Sequence, residues 1–233
     1  MKEIIQIRNL SKSYGHKVVL DRIDLYLEEN QIIGLLGPNG CGKTTLIKTM
    51  TGLIKDYEGH VFIDGEEPGV HTKSVIAYLP EKSYLPDWMR PKDAIKYFSD
   101  FYADFDSAKA EQMVKDFGLD MKQKIKTMSK GQQEKISLIL VMCRRAKLYI
   151  LDEPLGGVDP AAREAILDLI LKNYTENATV LMSTHLIHDI EPVLDRALMI
   201  SKGKLVLNAD VKQLKEEGKT VEDIFKEVFA YAW

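Results

Sequence analysis

Two short segments hold residues whose types and spacing suit work on a phosphorylated ligand. Gly37 to Thr44 reads GPNGCGKT and fits the pattern G-x-x-x-x-G-K-[ST]. Glycines at these positions let successive backbone N–H groups converge on anionic oxygens. The start of a helix at Lys43 and Thr44 adds the positive end of its dipole. From there the Lys43 ammonium reaches the β- and γ-phosphates of a nucleoside triphosphate, and the Thr44 hydroxyl is a ligand for Mg²⁺. The second segment, Leu148 to Pro154, reads LYILDEP. Two adjacent carboxylates directly after an apolar strand stand at the end of a sheet, where Asp152 suits Mg²⁺ and Glu153 suits polarising a water for in-line attack. Taken alone, the pair also reads as a solvated strand end or a helix cap.

Elements on either side have to position these groups. Gln31 to Leu36 is a short apolar run ending at Gly37, as a buried strand does, and a helix is expected from Thr44 to about Leu53. Ile23, Leu25 and Leu27 alternate with polar residues at a period of two, so the N-terminal part reads as strands. Val61 to Ile63, Val75 to Leu79, Leu148 to Leu151, Thr179 to Ser183, Ala197 to Ile200 and Lys204 to Leu207 read as further strands. Pro160 to Tyr174 reads as a helix with Asp159 as its N-cap. The middle of the chain differs. Seven of the nineteen aromatic side chains fall between Tyr84 and Phe105, and Ala94, Tyr97, Phe98, Phe101 and Phe105 are expected on one helical face. With helices near Ser107 to Phe117 and Ser129 to Arg145, residues 84–147 read as an inserted helical subdomain. The tail from Asp210 to Trp233 reads as two short helices.

With these residues on the page, the chain resembles the ATP-binding subunit of ATP-binding cassette (ABC) transporters over nearly its whole length. The resemblance implies an α/β fold: a P-loop NTPase (RecA-like) core with an N-terminal antiparallel β subdomain and an inserted α-helical subdomain. The core takes residues 1–83 and 148–209, the signature subdomain 84–147 and the C-terminal helices 210–233. It implies ATP and Mg²⁺ as ligands, with Gly37, Pro38, Asn39, Gly40, Cys41, Gly42, Lys43, Thr44 and Thr45 around the phosphates. Tyr14, in SKSYG, stands where the family stacks an aromatic on adenine. Glu81 occupies the glutamine-loop position and offers an oxygen to the metal. The signature segment, usually LSGGQ, reads MSKGQ here, so Ser129, Gly131 and Gln132 are implied to meet the γ-phosphate held by a second subunit. Asp159 matches the D-loop aspartate, and His185, in Ser183-Thr184-His185, the switch histidine that orients Glu153 and water. Lys43, Glu153 and His185 are thereby the catalytic candidates, and Thr44, Asp152 and Glu81 the metal candidates. His16, His60, His71 and His188 match no motif and read as structural.

Composition bounds what the chain works on. Of 233 residues 45% are hydrophobic and 29% charged, with 32 basic against 35 acidic side chains, which excludes global disorder and argues against a general nucleic-acid binder. Two cysteines, Cys41 and Cys143, make no disulfide framework. No window approaches a bilayer-spanning length of roughly 18 to 20 apolar residues. A membrane role therefore requires something else to hold the chain there, and the resemblance implies what: a second copy or a homologous ATP-binding subunit, and an integral membrane permease subunit at the cytoplasmic face of the membrane. The stretch from Tyr84 to Phe105 suits a groove for a short helix of that permease, with Trp88 and Met89 as exposed candidates; a satellite core is the competing reading. The other functional class is a soluble cassette ATPase clamping nucleic acid or the ribosome. One cassette, no heptad run and balanced charge favour transport, and Glu81 with the SKGQQEK segment looks most like the exporter branch for drugs, antibiotics or peptides.

Overall fold

The structure, a computed structural model, describes residues 2–229. Its frame is a six-stranded sheet of β3 (Ile32–Leu36), β5 (Ile76–Leu79), β6 (Leu148–Asp152), β7 (Thr179–Thr184), β8 (Arg196–Ser201) and β9 (Lys204–Asp210), in the order β5-β6-β7-β3-β8-β9. All neighbours are parallel except β8 and β9. β1 (Glu3–Tyr14), β2 (Lys17–Glu28) and β4 (Glu58–Ile63) form a separate antiparallel sheet ordered β2-β1-β4.

Both faces of the parallel strands are buried, so the strands read as continuous apolar runs whose side chains alternate between two cores. Leu36, Tyr149, Leu151, Val180 and Met182 point to the core shared with the helices. Ile33, Leu35, Leu148, Ile150 and Leu181 point to the core shared with the antiparallel sheet. Helix α1 (Lys43–Met50) joins this second core through Leu46, Ile47 and Met50.

Between β5 and β6 the chain runs through α3 (Pro91–Phe101), α4 (Ser107–Asp116) and α5 (Lys130–Met142). Pro91 opens α3, and Asp106 caps α4 by accepting from Lys109 N at 2.9 Å. Arg144 locks this segment to the sheet. It is 4% exposed, forks onto Asp104 at 3.0 to 3.2 Å, donates to Ile76 O and Ser74 O at 2.8 Å each, and stacks 3.9 Å over the Tyr102 ring. After β6 come α6 (Pro160–Asn173) and the one-turn α7 (Ile187–Ile190); α8 (Val211–Glu216) and α9 (Val221–Phe229) follow β9.

The structure corrects several expectations. Val75 ends a short helix, α2 (Val70–Val75), rather than opening the strand. α3 stops at Phe101, so Phe105 lies beyond it, bridged to Arg144. On α3 itself Ala94 and Phe98 are buried, but Tyr97 and Phe101 are 49% and 68% exposed. Trp88 is 66% exposed, whereas Met89 is buried, its apolar side chain having gone into the core. The helix expected from Ser129 to Arg145 ends at Met142. Residues 230–233 of the expected tail lie outside the described residues.

Candidate active site

The chemistry-bearing residues gather at the C-terminal ends of three neighbouring strands. Register pairs Leu36 with Thr184 and Asp152 with Ser183, so the turn after β3, the carboxylates after β6 and the histidine after β7 share one edge of the sheet. Lys43, 5% exposed, folds back across its own turn, its Nζ donating to Gly37 O at 2.7 Å and Pro38 O at 3.4 Å. The same ammonium lies 3.3 Å from Glu153 Oε1 as an ion pair. The other oxygen of Glu153, Oε2, is 3.0 Å from His185 Nδ1. Glu153 itself is held at φ 52, a left-handed conformation uncommon for a residue with a side chain and characteristic of sites where geometry is over-determined. Its N–H, received by Ser183 O at 3.1 Å and Ser183 Oγ at 3.0 Å, supplies that constraint.

Asp152 is 1% exposed. Its Oδ1 accepts from Ser183 Oγ at 2.6 Å and Thr44 Oγ1 at 3.3 Å, while Oδ2 is buried with no hydrogen-bond partner. Burial raises its carboxyl above the ordinary carboxylate range; the two hydroxyls pull it down, and Glu81 and Glu153 push it further up. A buried orphan carboxylate oxygen beside a hydroxyl is costly unless a cation answers it. The donor set, hard oxygens from Thr44 and Asp152, fits Mg²⁺. Sequence reasoning had not assigned Ser183 any role, although it stands two residues before His185; its hydroxyl holds both carboxylate residues in place.

Around these groups lie two clefts. One, of about 360 Å³, is lined by Val19, Asn39, Gly40, Lys43, Thr44 and Glu81 among others. The second, of about 440 Å³, is lined by Asn39, Glu81, Lys130, Glu134, Glu153 and His185 among others. Glu81 thus faces the site from the turn after β5. Thr45, Gly42 and Glu153 also border the first cleft. The Cys41 side chain packs into the core and is raised in pKa chiefly by burial, so this residue presents backbone, not its thiol, to a ligand. Tyr14 sits at the end of β1, 51% exposed, with Lys12 Nζ 5.0 Å over its ring, and lines neither cleft.

Ser129, Gly131 and Gln132 are not brought to the Lys43 site of the same chain. They form the start of α5, where Ser129 Oγ accepts from Gln132 N at 3.3 Å and Gln132 Oε1 accepts from Ser129 N at 2.9 Å, a reciprocal capping box. Lys130, between them, lies 3.6 Å from Glu134 and reaches Gly157. Asp159 precedes α6, its carbonyl accepting from Ala162 N at 2.8 Å. The four motif-free histidines are exposed; His60, His71 and His188 face Glu67, Asp64 and Glu222 at 3.7 to 3.9 Å.

The model of the ABC transporter family matches residues 20–156, a span that holds both the phosphate turn and the paired carboxylates. The chain is an ABC transporter ATP-binding subunit. It binds ATP and hydrolyses it. An uncharacterized ABC transporter ATP-binding protein of Methanocaldococcus jannaschii is 35% identical over 88% of this chain and 77% of its own length. The SkfA peptide export ATP-binding protein SkfE of Bacillus subtilis is 28% identical over 96% of both chains. The ABC fold is matched throughout by a solved ATP-binding subunit of an ABC transporter, with a TM-score of 0.85 at 24% identity over 96% of this chain and 98% of that one. ABC ATP-binding subunits generally dimerise and pair with a membrane subunit. Among the described residues no helix is long and apolar enough to cross a membrane.

Proposed function

We propose that this subunit powers export through a separate membrane-spanning permease, at the cytoplasmic face of the membrane, by closing on a second copy or a homologous subunit around ATP. The observation that carries the catalytic part is the Lys43–Glu153–His185 chain, with one Glu153 oxygen toward each cation-forming partner. Glu153 takes the proton of the attacking water, His185 orients that carboxylate and meets the γ-phosphate, and Lys43 leaves its own turn to neutralise the phosphates. Thr44 and Asp152 would hold Mg²⁺, with Glu81 across the cleft as a further oxygen donor, and the ion would supply neutralisation of phosphate charge. Tyr14 stacks on the adenine, and backbone groups from Gly37, Pro38, Asn39, Gly40, Cys41, Gly42 and Thr45 surround the phosphates.

The start of α5 of a second copy, with Ser129, Gly131 and Gln132, completes the pocket, and Asp159 borders the seam. Residues 84–147 act as a subdomain that carries this helix end. A groove of about 490 Å³ between the subdomain and the sheet, lined by Leu53, Ala77, Tyr84, Phe98 and Tyr102 among others, supports docking of a short permease helix. The naming of SkfE for peptide export supports export as the direction.

The decisive measurement is phosphate release by Glu153→Gln. Loss of the base is expected to slow hydrolysis by about 10²-fold or more while ATP binding persists. Normal turnover in that variant would remove Glu153 from the base role.

A further inference from the structure

The segment that carries His185 is braced from behind by elements far from the phosphates. β7 ends at Thr184, whose Oγ1 accepts from Leu186 N at 2.9 Å, and α7 follows with Ile187 and Ile190 buried. A single turn of helix has no stability of its own, so its neighbours decide where it sits. One neighbour is α6, where Arg163 Nη1 donates to Asp189 Oδ2 at 3.0 Å. The other is α9. Glu191, the residue after α7, accepts from Val221 N at 2.8 Å and from Glu222 N at 3.3 Å, one bond to each carboxylate oxygen.

This bond pair is more than an ordinary cap. α9 already carries a local one: Asp223 N donates to Thr220 Oγ1 at 3.0 Å, and that hydroxyl donates to Asp223 Oδ2 at 2.6 Å. Glu191 takes the two N–H groups the local cap leaves, and so joins the C-terminal helix to the histidine segment. At its two ends α9 is anchored by Val221 and Phe229, 0% and 3% exposed. Between α9 and the imidazole lies a cleft of about 470 Å³ lined by His185, Arg163, His188, Glu222, Phe225 and Lys226 among others. The brace therefore acts on the backbone that carries His185 and not on the ring itself.

We propose that Glu191 is a positioning residue for ATP hydrolysis: by pinning α9 to α7 it fixes the direction from which the His185 ring meets Glu153 and the γ-phosphate. The inference rests on the catalytic reading of His185 given above. A chain whose α9 is displaced keeps its phosphate turn and binds ATP, but holds the switch histidine loosely.

The test is a double-mutant cycle on ATP hydrolysis with Glu191→Ala, His185→Ala and the pair. Glu191→Ala is expected to lower kcat about tenfold, the scale of a misplaced catalytic contact, with KM for ATP within about twofold. In the His185→Ala background the same change is expected to have no further effect. The His185 imidazole resonance of ¹³C-histidine-labelled protein is expected to shift or broaden in Glu191→Ala. If Glu191→Ala does not fold, Glu191→Gln, which keeps one acceptor, carries the same cycle with a smaller loss. An equal fall in both backgrounds, an unmoved His185 resonance, or full kcat in a folded variant overturns the proposal. Undiminished hydrolysis by His185→Ala alone overturns instead the reading of the site on which it depends.

Discussion

Replacing Arg144 by alanine is the sharpest probe of how the helical segment is tied to the ATP-binding sheet. The guanidinium makes a fork onto Asp104, two bonds to backbone carbonyls and a stack on Tyr102. Ser74 is exposed and Asp104 keeps 26% of its side chain exposed, so water replaces most of what they lose. Ile76 is 5% exposed, and its carbonyl stays buried without its charged donor at about 1.5 to 3 kcal/mol. The stack contributes about 0.5 to 2 kcal/mol and the severed, partly hydrated ion pair about 0.5, so the middle values sum to about 4 kcal/mol. For a chain of this size that lowers Tm by roughly 8 to 16 °C. Arg144→Lys keeps the charge without the fork and is expected to lose about half as much. Urea unfolding followed by fluorescence measures the loss, and amide exchange over α3 to α5 locates it. A destabilisation below about 1 kcal/mol would refute the reasoning, because it would mean that the buried carbonyl finds another donor.

Two further outcomes follow from titratable groups. Asp64 is a nearly buried carboxylate; burial raises its pKa, but Lys147 and Lys2 outweigh that and hold it below its ordinary 3.8. Its stabilisation is therefore complete above the unfolded value of 3.8 and is lost as pH falls through the lowered folded value, so urea midpoints measured from pH 7 down to pH 2 should drop less steeply in Asp64→Asn than in the parent. Burial raises the Cys41 thiol and pushes that of Cys143 up to about 12, so a maleimide is expected to label the native protein at pH 7 roughly tenfold or more slower than the urea-unfolded chain, with Cys41 the first to react. Rapid labelling that blocks ATP binding would place the Cys41 thiol in the phosphate turn rather than in the core.

Much of the site was legible because its parts are contiguous. GPNGCGKT dictates a sharp turn into a helix and LYILDEP a strand running into a turn, each with the atoms presented there, and the parallel register of the strands then brings them together. Ser129 was equally readable as a cap, since a capping box needs only Gln132 three residues on. What escaped depends on partners distant in the chain. Glu191 looks like any surface glutamate until α9 folds back thirty residues later onto it. Arg144 shows no sign in its neighbours of reaching Ser74, 70 residues away. The one-face pattern through Phe105 failed for a different reason. Periodicity says where side chains would point if a helix continued, but after Phe101 the backbone turns extended at Tyr102, and Tyr97 and Phe101 are left facing outward as a touching pair. The short helices α2 and α7 were missed because four to six residues are too few for a period to register.

Three backbones meet at the carbonyl of Val19. Gly42 of the phosphate turn approaches so closely that a Cβ would stand 3.0 Å from that oxygen, and at Gly203, in the hairpin between β8 and β9, it would stand 2.6 Å away. Asp21 N then donates to Gly203 O at 2.9 Å. At that carbonyl the antiparallel sheet that bears Tyr14 meets the phosphate turn and the hairpin main chain to main chain, beside the apolar core the two sheets share. The spacing of β2, the phosphate turn and the β8–β9 hairpin is set there by backbone contact, like the jaws of a caliper. A methyl group added at position 203, on the far hairpin, would press on the Val19 carbonyl and force the jaws apart.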